Sequence, residues 1–469
     1  MIDTIALKQA ILDLATSGKL SGNFSCLDRI EDIVSSIPEA SNKRKKLLQQ
    51  EFDYEAPYAI PKHWQWLKLG EISSYGDTPK KMLASEADSD VWLLELEDIE
   101  AGGRLLKKRR ISESSSIGEK TYFRNGQVLY SKLRPYLKKV LIADEEGICT
   151  PEMIAFDVFC GISAKYILYC LLNSYTDRVI DKRSYGIKMP RVDAGFMVNL
   201  PIPVPPLSEQ IYIVDKVDEI LSVIKKIGAC QDKYSNNLEV LINKIIDAGM
   251  QGKLTQQTDS EKSADILYEE IQEEKKKLIK EGKIKKGKKL PEIKDEEIPY
   301  DIPLNWKWVR IGNVINEVIV PQRDKPPFSG DIPWCRIEDR DGYYLNGTKS
   351  GQYVSKETVE EMNLRVCPVG TVLSACSGAS IGTILITTVE CCTNQTFNGL
   401  VCNSKLYNWY LFWYLKSVIS KLKGMGTGSA MAYVSQDKIR NMIIPLPPYE
   451  EQIRIADTIS EALSVIGEE

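Results

Sequence analysis

A chain of 469 residues exceeds what a single hydrophobic core ordinarily organises, so two or more domains are expected. Its 61 basic residues against 65 acidic ones leave a net charge of −4, which argues neither for nor against nucleic acid and leaves that question to local patches. A lone histidine, His63, gives imidazole acid–base chemistry little material; eleven cysteines without a C-x-x-C spacing read as reduced thiols, so no zinc or other metal site is expected.

Taken from the N-terminus, residues 1–20 lack a basic n-region followed by an apolar stretch, and no run of about 18 apolar residues occurs anywhere, so a soluble cytoplasmic chain is expected. The first segment reads as a helix ending in Gly18, Lys19 and Leu20, and 21–56 as a linker. Residues 57–206 form a first variable block with three basic clusters. Lys107, Lys108, Arg109 and Arg110 make one; Lys132, Arg134, Lys138 and Lys139 another; Arg178, Lys182, Arg183, Lys188 and Arg191, interleaved with Tyr185 and Gly186, the third. Each alone could be a solvated face. Three together in a net acidic chain argue for a phosphate-binding surface.

After Pro205-Pro206 the chain is free of proline up to Pro291, and apolar residues fall at 213, 217, 220, 224, 227, 234, 238, 241, 245 and 248. That heptad spacing predicts a long helix at 207–255 packed on a partner helix, about 70 Å long if it ends at Leu254, with Gly228 its weak point. Residues 256–298 read as a charged, lysine-rich linker. GKIKKGKK at 282–289 matches phosphate-loop spacing, but Lys289 stands where a Ser or Thr must bind magnesium, and no strand precedes it.

A second block, 299–448, is less basic and more polar, with Arg323, Arg336, Arg340, Tyr343 and Tyr344 early and Asn394, Gln395 and Asn398 in its middle. Its glycine-rich stretch at 424–439, carrying Ser429 and Tyr433, stands where 183–196 stands in the first block, and either could be a DNA-approaching loop or a merely structural one. KPPF at 325–328 has Lys325 where an amino-methyltransferase needs Asn or Asp to bind the target amine, which argues against that activity. Neither a Rossmann glycine fingerprint nor a nuclease carboxylate–lysine cluster stands out. Residues 449–469 begin a last helix.

The two halves repeat one another. LKQAILDLATSGKL at 7–20 matches LINKIIDAGMQGKL at 241–254; YAIPKHWQWLKLG at 58–70 matches YDIPLNWKWVRIG at 300–312; IPVPPLSEQIYIVD at 202–215 matches IPLPPYEEQIRIAD at 444–457. The second copy of the long helix would then be divided between residues 449–469 and 1–20, one heptad shorter than the first and so in unbroken apolar phase, unless these are two unrelated amphipathic helices.

The duplicated P-x-P-P-x-x-E-Q-x-x-I before a long helix, the GKL helix ending, the I-P-x-x-W-x-W-x-x-x-G opening of each block and the segment 278–312 resemble the specificity subunits of type I restriction-modification enzymes. The resemblance covers nearly the whole chain. It implies an α+β fold: two mixed α/β globular target recognition domains joined by two long antiparallel helices forming a coiled coil, pseudo-two-fold and nearly cyclic. It further implies a non-catalytic chain that reads a bipartite double-stranded DNA target, one half per block, beside two methyltransferase subunits and, where present, two endonuclease subunits. S-adenosylmethionine, ATP and magnesium would be bound by those partners and none by this chain. The expected DNA-binding side chains are Lys107, Lys108, Arg109, Arg110, Lys132, Arg134, Lys138, Lys139, Arg183, Tyr185, Lys188 and Arg191 in the first block, and Arg323, Arg336, Arg340, Tyr343, Asn394, Gln395, Ser429 and Tyr433 in the second. Unlike blocks on a repeated frame predict an asymmetric target. A coiled-coil scaffold for protein partners and a degenerate single-chain restriction-methylation protein are the alternatives.

Overall fold

The computed structural model describes every residue except 23, 26–27, 53–57, 115–117, 185, 187–188, 257–261, 321–323, 427–431 and 468–469. The chain divides into two units, Met1–Lys233 and Tyr234–Glu469. The long helix Leu207–Met250 contributes to both, and among the described residues no helix is long and apolar enough to cross a membrane. It starts directly after Pro205-Pro206 and stops at Met250, short of the expected end at 255, because Gly252 takes a left-handed conformation (φ +68°). A Cβ there would stand 2.5 Å from Pro303 Cγ. Gly18, which closes the helix Thr4–Thr16, has φ +76° and meets Pro61 in the same way. Each duplicated G-K-L therefore ends a helix under the proline and tryptophan of the duplicated I-P-x-x-W.

In the first unit the helix Thr4–Thr16 runs antiparallel to the first part of the long helix: Gln231 Nε2 donates to the Ile2 carbonyl, while Ser21 Oγ donates to Glu209 at 2.5 Å. Leu12 and Ala15 join Ile213 and Val217 in one core with Trp64, Tyr166 and Phe196. Gln65–Lys68 pairs antiparallel with Pro201–Val204, which joins two of the repeated motifs as a two-stranded ribbon. Beyond it lie a three-stranded sheet (Val140–Ile142, Val128–Ser131, Met153–Phe156) and a five-stranded sheet around Glu119–Phe123 and Gly147–Cys149. The expected linker 21–56 carries helices at Ile30–Ser35 and Asn42–Leu48, and Arg44 of the latter is buried against the Ser73 carbonyl (3.0 Å) and Asp77 (2.8 Å).

The second unit repeats the plan. Lys307–Arg310 pairs with Ile443–Leu446, and the helix Tyr449–Val465 places Ile455 and Ile459 over Gly249 of the long helix. Of the heptad seam expected in this stretch, Tyr234 and Leu241 are exposed, and the buried positions are Ile246 and Met250, one or two residues later. A straight helix at 3.6 residues per turn drifts off a seven-residue repeat in that direction.

The lysine-rich segment expected as a linker is also partly structured, since Ala264–Lys280 is a helix whose Leu267 and Ile271 enter the core. Lys275 Nζ donates to the carbonyls of Gly312 (2.9 Å) and Ile315 (2.6 Å), and its burial pulls its pKa down to about 8. Arg310 clamps the following strap, donating to Glu297 through both Nη atoms at 2.7 Å and to the Pro291 and Glu292 carbonyls. This clamp holds the Glu297 carboxyl at about 2. Its folded value lies below the usual carboxylate value of about 4.3, so its contribution is fully present above that value and lost as pH falls through about 2. Protection of the backbone amides at 291–298 against hydrogen exchange, measured relative to their intrinsic rates, should be high at pH 5 and fall as pH drops from about 4 toward 2. The E297Q variant should show low protection at every pH, and a wild-type segment whose protection ignores pH would contradict the assignment.

Candidate nucleic-acid interface

The frame that presents the variable blocks is built twice from the same residues. Glu209 is buried and accepts hydrogen bonds from Trp64 Nε1 (2.9 Å), Ser21 Oγ and His63 Nε2 (2.8 Å); Glu451, equally buried, accepts from Trp306 Nε1 (2.9 Å) and Thr255 Oγ1 (3.1 Å). The adjoining Gln210 accepts from Ser163 N at the head of the helix Ala164–Leu172, and Gln452 accepts from Tyr407 N at the head of the helix Asn408–Ser417, each at 2.8–2.9 Å. Tyr166 and Tyr410, which the sequence did not point to, donate to the carbonyls of Pro203 and Pro445, both at 2.7 Å. The repeated E-Q thus locks a tryptophan, a proline strand and a helix start together in each unit.

On that frame each unit carries a turn of the same backbone geometry. Leu133 bridges Arg191 in the first unit, and Ser377 bridges Tyr433 in the second. Arg134 N donates to the Pro190 carbonyl at 2.7 Å, as Gly378 N does to that of Ala432 at 2.8 Å; Val192 N meets the Lys132 carbonyl as Val434 N meets that of Cys376. Both turns also pass through two left-handed residues. In the second unit these are Gly378 (φ +57°) and Gly382 (φ +101°), but in the first they are Arg134 (φ +49°) and Lys138 (φ +50°). A side chain in that region costs about 1–3 kcal/mol.

The second and third basic clusters meet at this turn in the first unit. Lys138 pairs with Asp177 of the helix Ser174–Asp181 and donates to Gln9 Oε1 at 2.9 Å; Lys132 and Arg191 share Glu152; Lys139 donates to the Leu96 carbonyl. Arg134, Arg178, Lys182 and Arg183 are exposed, with neither an ion pair nor a side-chain hydrogen bond among the described residues. Tyr136 and Met189 lie beside them, about half exposed at 53% and 47%. Tyr185 and Lys188 lie outside the described residues, as do Arg323 and Ser429.

The first cluster is different in kind. Lys107 pairs with Glu113, Lys108 with Asp144 and Glu145, Arg109 with Glu97 and the buried Asp98, and Arg110 with Glu145 and Asp90. Six carboxylates surround the four cations, so this cluster is an ion-pair network whose charges are already met within the chain. The acidic partners come from four separated stretches, which left the pairing invisible in the sequence.

In the second unit Asn394, Gln395 and Tyr433 gather around the turn. The Cys376 thiol donates to the Gln395 and Thr396 carbonyls, Asn394 Oδ1 accepts from Thr396 N at 3.1 Å, and Tyr433 is 39% exposed. Lys421 and Lys423 are exposed on the helix Ile419–Gly424, and Lys423 Cε reaches 3.3 Å from where a Gly382 Cβ would sit. Arg336 donates to Gln352, and Arg340 is exposed, its carbonyl accepting from Lys349 Nζ. Tyr343, expected at the interface, packs instead against Phe412 (5.1 Å) and Trp413 (5.6 Å) with Lys416 over its ring; Asn398 is fully buried and donates to the Val434 carbonyl. Cys335, Cys367 and Cys391 share a buried core, where burial pushes Cys367 to about 12 and the adjoining Cys392 to about 11, so Cys367 and Cys392 remain neutral thiols at pH 7. Among the described residues no group of three or more His, Cys, Asp or Glu side chains is placed to hold a metal ion.

Comparison with known proteins gives the same outline. The family described as type I restriction modification DNA specificity domain matches at residues 61–229 and again at 303–466, more than half of the chain. Two Escherichia coli proteins, the specificity subunits of the type I restriction enzymes EcoEI and EcoAI, are each 22% identical to it. The alignments cover 98% and 97% of this chain and 89% and 88% of theirs. A chain solved in a study of assembly and conformational transition of a type I R-M system superposes with a TM-score of 0.61 over 87% of this chain and 92% of its own, at 20% identity.

Proposed function

This chain belongs to the type I restriction-modification specificity subunits, and from that premise we propose that it reads an asymmetric, bipartite double-stranded DNA target, one half-site per unit, without catalytic chemistry of its own. The observation that carries this reading is the pair of matching turns, which hold the same backbone hydrogen bonds and unlike exposed side chains. In the first unit Arg178, Lys182 and Arg183 would lie on phosphates, as would Lys421 and Lys423 in the second; such contacts position a protein on DNA, while side chains at the turns reach base edges. The exposed apolar residues of the helices, Ile5 and Leu14 in the first unit and Val240 and Leu241 in the second, would seat two methyltransferase subunits. Those partners would bring S-adenosylmethionine and methylate adenine in each half-site; two endonuclease subunits, where present, would bring ATP and magnesium. The assembly would work in the cytoplasm, where its DNA is.

Co-expression with the neighbouring methyltransferase gene, followed by mapping of methylated adenines across the host genome, tests this. One split motif with unlike halves is expected. A palindromic motif, or methylation by this chain alone, would overturn the reading.

A further inference from the structure

We propose that Arg134 is a base-reading side chain of the first half-site, held against a guanine by a turn whose backbone otherwise calls for glycine. The inference rests on the DNA-reading function proposed above. Hydrogen bonds and bridges make Arg134 the positional equivalent of Gly378, and Lys138 that of Gly382. At both positions the chain is left-handed, a conformation that glycine adopts freely and an L side chain does not. Lys138 has an internal reason to be there, since it is bound to Gln9 and Asp177. The Arg134 side chain has no such contact among the described residues and projects into solvent from the turn, so folding gains nothing from it that offsets the strain. Backbone strain that internal packing does not explain points to a contact made outside the chain.

The surroundings favour a base edge over a phosphate. Exposed Tyr136 and Met189 flank the tip with apolar surface suited to groove edges and thymine methyl groups, while Arg178, Lys182 and Arg183 supply point charges nearby. A guanidinium donates two parallel hydrogen bonds to guanine O6 and N7, which an ammonium cannot reproduce. Unlike chemistry at one equivalent position, Arg134 against Gly378, also makes the two half-sites unlike by construction.

The test uses the assembled complex and a duplex carrying the motif mapped by adenine methylation. R134G should leave the melting temperature unchanged or raise it, lower affinity for the cognate duplex by at least about tenfold, and relax preference at one G·C pair of one half-site only. R134K should keep affinity for unrelated DNA yet lose that preference. Three results would overturn the assignment: a lowered melting temperature in R134G, which would make the residue structural; a loss equal on all sequences, which would make it a phosphate contact; or no loss at all. Absence of any sequence preference in the wild-type complex would instead sink the DNA-reading function itself.

Discussion

Replacing Arg178, Lys182 and Arg183 together with alanine should weaken DNA binding by the assembled complex about a hundredfold near 0.15 M salt, at about 1 kcal/mol for each phosphate no longer neutralised. The logarithmic salt dependence should become shallower by about 0.9 per phosphate. The loss should be nearly the same for cognate and unrelated duplexes, since these side chains would position without specifying. Replacing Lys107, Lys108, Arg109 and Arg110 provides the contrast. Their charges are already met by six carboxylates, so affinity should change by less than about threefold. The cost should fall on stability instead, because Asp98 is 2% exposed and is deprived of the cation beside it, which costs about 1–3 kcal/mol. Filter binding across a salt series, with urea denaturation of the same variants, separates the two effects. Equal reductions of affinity from both sets would mean that the first network opens on DNA and that its carboxylates move away.

What the sequence disclosed and what it withheld divide along a physical line. Contacts made by repeated residues announce themselves as motifs: Gly18 under Pro61 and Trp64, Gly252 under Pro303 and Trp306, and the glutamate of each E-Q on a tryptophan are legible because both units need the same geometry. The strands of the variable blocks are mostly two to five residues long, too short for an alternating pattern to stand out. Helix Ala264–Lys280 hid its buried Leu267 and Ile271 in a charged run, with Glu269, Glu270, Glu273 and Glu274 beside them and Lys275, Lys276 and Lys277 just beyond. The run Lys107–Arg110 hid its ion pairs, because a sequence cluster reports one sign while Asp90, Asp144 and Glu145 arrive from elsewhere. The partners of Tyr343 were hidden for the same reason, since Phe412 and Trp413 come from a helix far along the chain.

The duplicated glutamate provides the second large effect. Glu451→Ala should lower the stability of the second unit by about 3 kcal/mol, since Trp306 Nε1–H and the Thr255 hydroxyl lose their acceptor inside the protein and a buried donor left unmet costs about 1–3 kcal/mol. Glu451→Gln should cost less, because the amide oxygen can still accept from one of them. Glu209→Ala should do the same to the first unit, where the carboxylate serves Trp64, Ser21 and His63. A double-mutant cycle decides whether these hydrogen bonds are the reason the motif recurs. Trp306→Phe removes the donor, so adding it to Glu451→Ala should cost less than it does alone, with a coupling of about 1–2 kcal/mol. Urea denaturation followed by circular dichroism supplies the four stabilities. Strict additivity would mean that the bond contributes little, and that the repeated E-Q answers to something outside the unit. Coupling would place its purpose inside the fold, as the joint that fixes the proline strand and the helix start, and with them the turn that carries Arg134 in one unit and Gly378 in the other.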